Sequence, residues 1–147
     1  MKWLYLLFAL VAGALMPVQA GFNLRLGNSL GSSVWAAAVC FAVGTVALFA
    51  YLLIARSPTP SFDMAASAPA WAWTGGVLGA FFVFATIVLA GEIGATSTMA
   101  WLLVGQLAAS LALDHFGVVG YQVHAVSWPR VFGVCLLLVG ALLVNKY

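Results

Sequence analysis

Ala47-Leu-Phe-Ala-Tyr-Leu-Leu-Ile54 carries no charge and does not alternate between apolar and polar side chains. A half-buried strand alternates with a period of two, and a membrane barrel does so in segments of about ten residues. This run, like Val134-Cys-Leu-Leu-Leu-Val139, reads instead as helix buried in an apolar medium. It lies within 30 uncharged residues between Arg25 and Arg56. A hydrocarbon core about 30 Å thick needs roughly 20 apolar helical residues, so this interval crosses a bilayer. The same reading applied outward gives 22 uncharged residues between Lys2 and Arg25, 28 from Met64 to Gly91, 21 from Ile93 to Leu113 and 15 from Val131 to Asn145. The last is long enough once Trp128 and Pro129 are included.

The chain has 147 residues, of which 65% are hydrophobic and 5% charged, far from the roughly 25% charged of soluble domains. A soluble fold of this size could not hide so much apolar surface. In lipid, only helices and closed barrels satisfy their backbone groups. The expected fold is an all-α integral membrane protein forming a single transmembrane domain over residues 1–147, with spans near 3–24, 32–55, 69–90, 95–113 and 128–145. Pro17 is expected to kink the first span. Turns are expected at Gly27-Asn28-Ser29 with Gly31-Ser32-Ser33 and at Gly91-Glu92-Ile93-Gly94. Loops are expected over 56–63 and from Asp114-His115-Phe116-Gly117 onward. Met1-Lys2-Trp3 and Val18-Gln19-Ala20 bracket a stretch like a signal peptide, but at near 20 apolar residues it is read as a retained span. Trp3, Tyr5, Trp35, Tyr51, Trp71, Trp73, Trp128 and Tyr147 fall at span ends, as an interfacial aromatic belt does.

The few polar residues narrow the chemistry. Cys40 and Cys135 lie inside expected spans and read as small packing residues; no partner sits at ligand spacing, so neither a disulfide nor a metal site is expected. His115 and His124 flank Gly120, too far apart to share a helical face. No nucleophile accompanies Asp114-His115, so the chain is not read as an enzyme, and no cofactor is expected. The five basic residues are scattered, which excludes a nucleic-acid surface. Gly75, Gly76 and Gly79 carry a GxxxG spacing and read as a helix-packing face.

Polar groups in lipid tend to face a bundle interior or a cavity. Gln19 and Asn23 share a face of the first span, and Gln106 and Ser110 share a face of the fourth. Gln106 lies about 12 residues into its helix, hence roughly 18 Å deep. It is the first candidate for substrate binding; the alternative is an interhelical hydrogen bond that only holds the bundle together. Trp101 lies about 140° around the helix from Gln106. It reads as packing or lipid contact, with a cation–π contact to substrate as the alternative. Glu92, Asp114 and Arg130 lie near the interface as candidates for ion coupling or gating, and otherwise as solvated charges. Asp114 and Arg130 share one side and can pair as a loop clamp.

Five spans put the termini on opposite sides. Lys2, Arg56 and Arg130 fall on one side and Arg25 and Lys146 on the other, a small bias under the positive-inside rule. A chain so balanced can insert in both orientations and pair antiparallel. That would form an inverted repeat of the kind that frames transporter sites near the midplane.

Several blocks resemble, in order and spacing, the YdcZ-like family of the drug/metabolite transporter superfamily. They are Gly13-Ala-Leu-Met-Pro-Val-Gln19 with Asn23, Leu26 and Gly31-Ser32; Cys40-Phe41 with Val43-Gly44-Thr45; and Trp73-Thr-Gly-Gly-Val-Leu-Gly-Ala-Phe-Phe-Val83. Ile93-Gly-Ala95 leading to Gly105-Gln106, Ser110 and Asp114-His-Phe-Gly117 follows, then Arg130 with Gly133 and Gly140. The resemblance implies half of a ten-helix transporter, completed by an antiparallel homodimer, and gives a class but no substrate. Five spans, near-balanced charge and buried amides then lead to the expected function: a secondary transporter of a small polar or amphipathic solute, working by alternating access in a bacterial inner membrane. Cys40 stands where that pattern more often has serine, and Glu92 where a proline is frequent. The competing reading is a non-transporting membrane subunit that packs against a partner.

Overall fold

The computed structural model describes residues 2–147, and among them it is helical with no strand. Five helices are long and apolar enough to cross a membrane. They are α1 (Lys2–Leu30), α2 (Ser33–Ile54), α4 (Gly75–Ile93) with the 3₁₀ turn Ala70–Thr74 that leads into it, α5 (Ala95–Phe116) and α6 (Trp128–Lys146); the short α3 (Phe62–Ala66) lies in the connection after α2. Their outward side chains are mostly apolar and exposed, as lipid-facing helices require; Ile54 is 83% exposed. Trp3, Trp35, Trp71, Trp73, Trp128 and Tyr147 stand exposed near helix ends.

Helix ends follow one local chemistry. At the end of α1, Gly31 takes φ 67° and the Ser32 N–H donates to the Gly27 carbonyl at 3.0 Å. At the end of α2, Arg56 takes φ 49° while the Ser57 N–H reaches the Leu52 carbonyl at 3.0 Å. At the end of α5, Gly117 takes φ 59° and the Val118 N–H reaches the Leu113 carbonyl at 3.3 Å. Each is a left-handed residue followed by a 6→1 hydrogen bond, which satisfies carbonyls otherwise orphaned at a helix end. The Ser32 hydroxyl then accepts from the Trp35 N–H and caps α2.

Four boundaries differ from those read in the sequence. The loop read over 56–63 ends early, because Ser61 caps α3 and Phe62 and Asp63 belong to it. Gly27, Asn28 and Ser29 are not a turn: α1 continues through them, with the Ser29 hydroxyl donating back to the Arg25 carbonyl at 3.0 Å. The second turn is narrower, because α4 continues to Ile93 and only Gly94, at φ 78° and ψ 165°, separates it from α5. Asp114, His115 and Phe116 belong to the last turn of α5 and do not open the loop. Pro17 lies within α1 and does not end it.

The chain divides into two compact units, Met1–Val88 and Leu89–Tyr147. In the first, α1 packs on α2, and Ala36, Ala37 and Ile87 form a core joined by Leu24, Leu26, Val83 and Phe84. Gly27 lies against this core, where a Cβ would touch Ala36 and Ile87 at 3.6 Å. Ala20, in the stretch that resembles a cleavage site, is buried mid-helix. In the second unit, α5 packs on α6, with Thr98 and Ala141 buried. The Thr98 hydroxyl donates to the Gly94 carbonyl at 2.7 Å.

Candidate functional site

Each unit carries one polar cluster. In the first, the one-turn spacing of Gln19 and Asn23 sets both amides on the α1 face that meets α2. There they share a partner. Gln19 Nε2 and Asn23 Nδ2 each donate to Cys40 Sγ at 3.3 Å. Asn23 is buried, Cys40 half-buried and Gln19 exposed. Thr86 on α4 is buried and satisfied by its own helix, its hydroxyl donating to the Phe82 carbonyl at 2.7 Å. A cleft of about 220 Å³ opens beside Gln19, Cys40, Gly44 and Thr45, and a hollow of about 50 Å³ beside Asn23 and Thr86. Two amide donors converging on a polarizable sulfur, next to an open cleft, can bind a polar solute by exchanging those donors.

Cys40 is therefore more than the packing residue its composition suggests. Two amides at neighbouring depths on α1 were the available signal that a partner would face them. Serine, more frequent here in the family pattern, offers the same acceptor in stronger form. Cys135 is exposed, and no group of three or more potential metal ligands occurs among the described residues.

In the second unit, Asp114 in the last turn of α5 meets Arg130 in the first turn of α6. Arg130 Nη2 donates to Asp114 Oδ2 at 3.1 Å. The segment between the helices is tied to this pair. The His124 N–H donates to the Asp114 carbonyl at 2.8 Å, and Arg130 Nη1 donates to the His124 carbonyl at 3.4 Å. The Val126 N–H donates to His115 Nδ1 at 3.3 Å, which places the proton of a neutral His115 ring on Nε2. Below the pair, Leu107, Ser110, Leu111, Gly133, Val134 and Leu137 line a cleft of about 320 Å³.

Of the remaining candidates, only Ser110 reaches a cluster. Gln106 lies on an exposed face of α5 and its side chain has no hydrogen bond among the described residues; Ser110, one turn on, is exposed where it lines the cleft under Asp114 and Arg130. Trp101 is half-buried and Glu92 exposed, without an ion pair among the described residues. Of the three glycines, Gly79 packs under the Phe41 ring, where a Cβ would meet Cζ at 3.3 Å; Gly75 and Gly76 face open space.

Comparison with known proteins agrees with this architecture. The family model described as "Putative inner membrane exporter, YdcZ" matches residues 4–143. The chain is 35% identical over 145 residues to "Inner membrane protein YdcZ" of Escherichia coli (strain K12), covering 97% of this chain and 95% of the relative. No solved structure matches. With five membrane-crossing helices and a match over nearly its whole length, the chain belongs to the YdcZ family of the drug/metabolite transporters and resides in the inner membrane.

Proposed function

We propose that this protein is a secondary transporter of small polar or amphipathic solutes, working as an antiparallel homodimer by alternating access. Membership of a family described as inner membrane exporters supports transport, outward by the same description. The observation that carries the homodimer is the exposed α5 face with Gln106 and Ser110. An amide in the hydrocarbon region without a hydrogen bond costs free energy, and a second copy would cover it. Balanced basic residues on the two sides allow that copy to be inverted. Gln106 and Ser110 in the second unit, and Gln19 and Asn23 in the first, are the substrate-contacting residues of this reading, with Trp101 as a stacking surface. Glu92 and the Asp114–Arg130 pair then serve coupling or gating, and Gly75 and Gly76 offer a helix-packing face.

The test joins topology to flux. Reporters fused to the C-terminus should appear on both sides of the membrane, and cysteine pairs should crosslink α5 to its inverted copy. Purified protein in liposomes should move solute alone, and Gln106→Ala should reduce that flux roughly tenfold, the equivalent of one hydrogen bond. A single orientation with parallel crosslinks would end the antiparallel reading. Absence of flux from well-folded protein in a broad solute panel would leave a non-transporting membrane subunit.

A further inference from the structure

The cleft under Asp114 and Arg130 combines features that together select a ligand. Its walls are aliphatic: Leu107, Leu111, Val134 and Leu137. Its rim holds one carboxylate and one guanidinium 3.1 Å apart, with Ser110 one turn below Asp114. The rim is therefore neutral as a pair while offering both signs of charge. It also has bonding capacity to spare. Arg130 has five N–H donors and uses one on Asp114 and one on the His124 carbonyl. Asp114 Oδ1 has no hydrogen bond among the described residues. Gly133 contributes no side chain, and a Cβ there would meet nothing within 4 Å. The volume of about 320 Å³ falls at the lower end of small-molecule sites.

We propose that this cleft binds a small zwitterion bearing a primary ammonium and a carboxylate on a shared carbon, above an apolar tail. The ammonium lies against Asp114 Oδ1, the carboxylate against the unused Arg130 donors, and the tail against Leu107, Leu111, Val134 and Leu137. Neutrality decides between this ligand and its singly charged relatives. A bare amine or a bare acid would add a net charge to a site that holds a matched pair at the edge of an apolar region, where uncompensated charge is costly. A zwitterion adds none and pairs both ways. The inference names a solute class for the transport reading and moves Asp114 and Arg130, given coupling or gating there, to direct contact with the solute; the binding site stands on its own geometry.

Binding is measured on the purified full chain in detergent, using L-phenylalanine, phenethylamine and 3-phenylpropionate as probes of matched size. Phenylalanine should bind at least roughly tenfold more tightly than either analogue, as expected for loss of one charge-assisted hydrogen bond. Gly133→Leu should abolish binding while leaving helical content and monodispersity unchanged, because the new side chain occupies the open space. Asp114→Asn should weaken phenylalanine roughly tenfold and remove the preference over 3-phenylpropionate. Equal affinity for all three probes, or undiminished binding in folded Gly133→Leu, would overturn the site.

Phosphatidylethanolamine presents an ammonium and an anion above apolar chains as well. Nanodiscs of phosphatidylethanolamine and of phosphatidylcholine separate the sources. Phenylalanine binding equal in both supports a free solute, and exclusion of phenylalanine by phosphatidylethanolamine alone would overturn it in favour of a lipid headgroup. Phenylalanine binding without flux would leave this site intact and sink transport. Flux of other solutes without any phenylalanine binding would do the reverse.

Discussion

The two units handle polar groups in opposite ways. In Met1–Val88, the amides of Gln19 and Asn23 point between helices and find Cys40, next to a core of Ala36, Ala37 and Ile87. In Leu89–Tyr147, the amide of Gln106 is exposed and has no hydrogen bond among the described residues, and the ion pair sits at the helix ends, between Asp114 and Arg130. A unit whose polar groups are satisfied internally supports itself. A unit that exposes an amide at depth requires something outside itself, because lipid offers no hydrogen bond. The contrast indicates where stability resides and where recognition does.

Paired glycine substitutions probe that contrast most strongly. Gly27→Leu drives a side chain into Ala36 and Ile87 and should destabilise the protein by about 1–3 kcal/mol, the usual cost of overpacking. Gly133→Leu enters open space and should leave the thermal midpoint of the detergent-solubilised protein nearly unchanged. Equal midpoints for the two variants would erase the distinction between the units.

Asn23→Ala should cost about 1 kcal/mol, since it removes one buried interhelical hydrogen bond, whereas Gln106→Ala should cost nothing and should lower only flux or pairing. A loss of stability in Gln106→Ala like that of Asn23→Ala would mean that Gln106 has a structural partner. Asp114→Asn breaks a half-exposed ion pair and should cost at most about 1 kcal/mol in thermal unfolding. Smallest of all, Cys40→Ser keeps an acceptor for both amides and should change stability by no more than about 0.5 kcal/mol. Cys40→Ala should instead reproduce the loss seen in Asn23→Ala, and failure to do so would remove the sulfur from its role.

The spans were legible in the sequence because charge is so costly in lipid that eight scattered charges leave five uncharged intervals, one for each long helix. Helix ends were less so. Asn28 and Ser29 have turn-forming side chains, yet Ser29 satisfies its hydroxyl on the Arg25 carbonyl and α1 runs on to Leu30. Glu92 reads as part of a four-residue turn, yet it lies in α4 and one glycine suffices to separate α4 from α5. The pairing of Asp114 with Arg130 followed from a shared side of the membrane. The role of Cys40 did not, because a thiol reads as apolar until two amide donors are found facing it. The exposure of Gln106 was equally hidden: periodicity assigns residues to a common face but not to the neighbour that face will meet.

Arg56 has a consequence for engineering the chain. It is the left-handed residue that stops α2, at φ 49°, and also one of the five basic side chains that weigh on orientation. Charge and chain reversal are thus fused in one position, and replacing it by a β-branched neutral residue would disturb both at once. Glycine there would discharge the position and relax the backbone, whereas lysines placed at Ser57 or Thr59 would add charge and leave the reversal alone. A variant with a stronger charge bias between its two sides is better built from those two flanking positions than from the arginine itself.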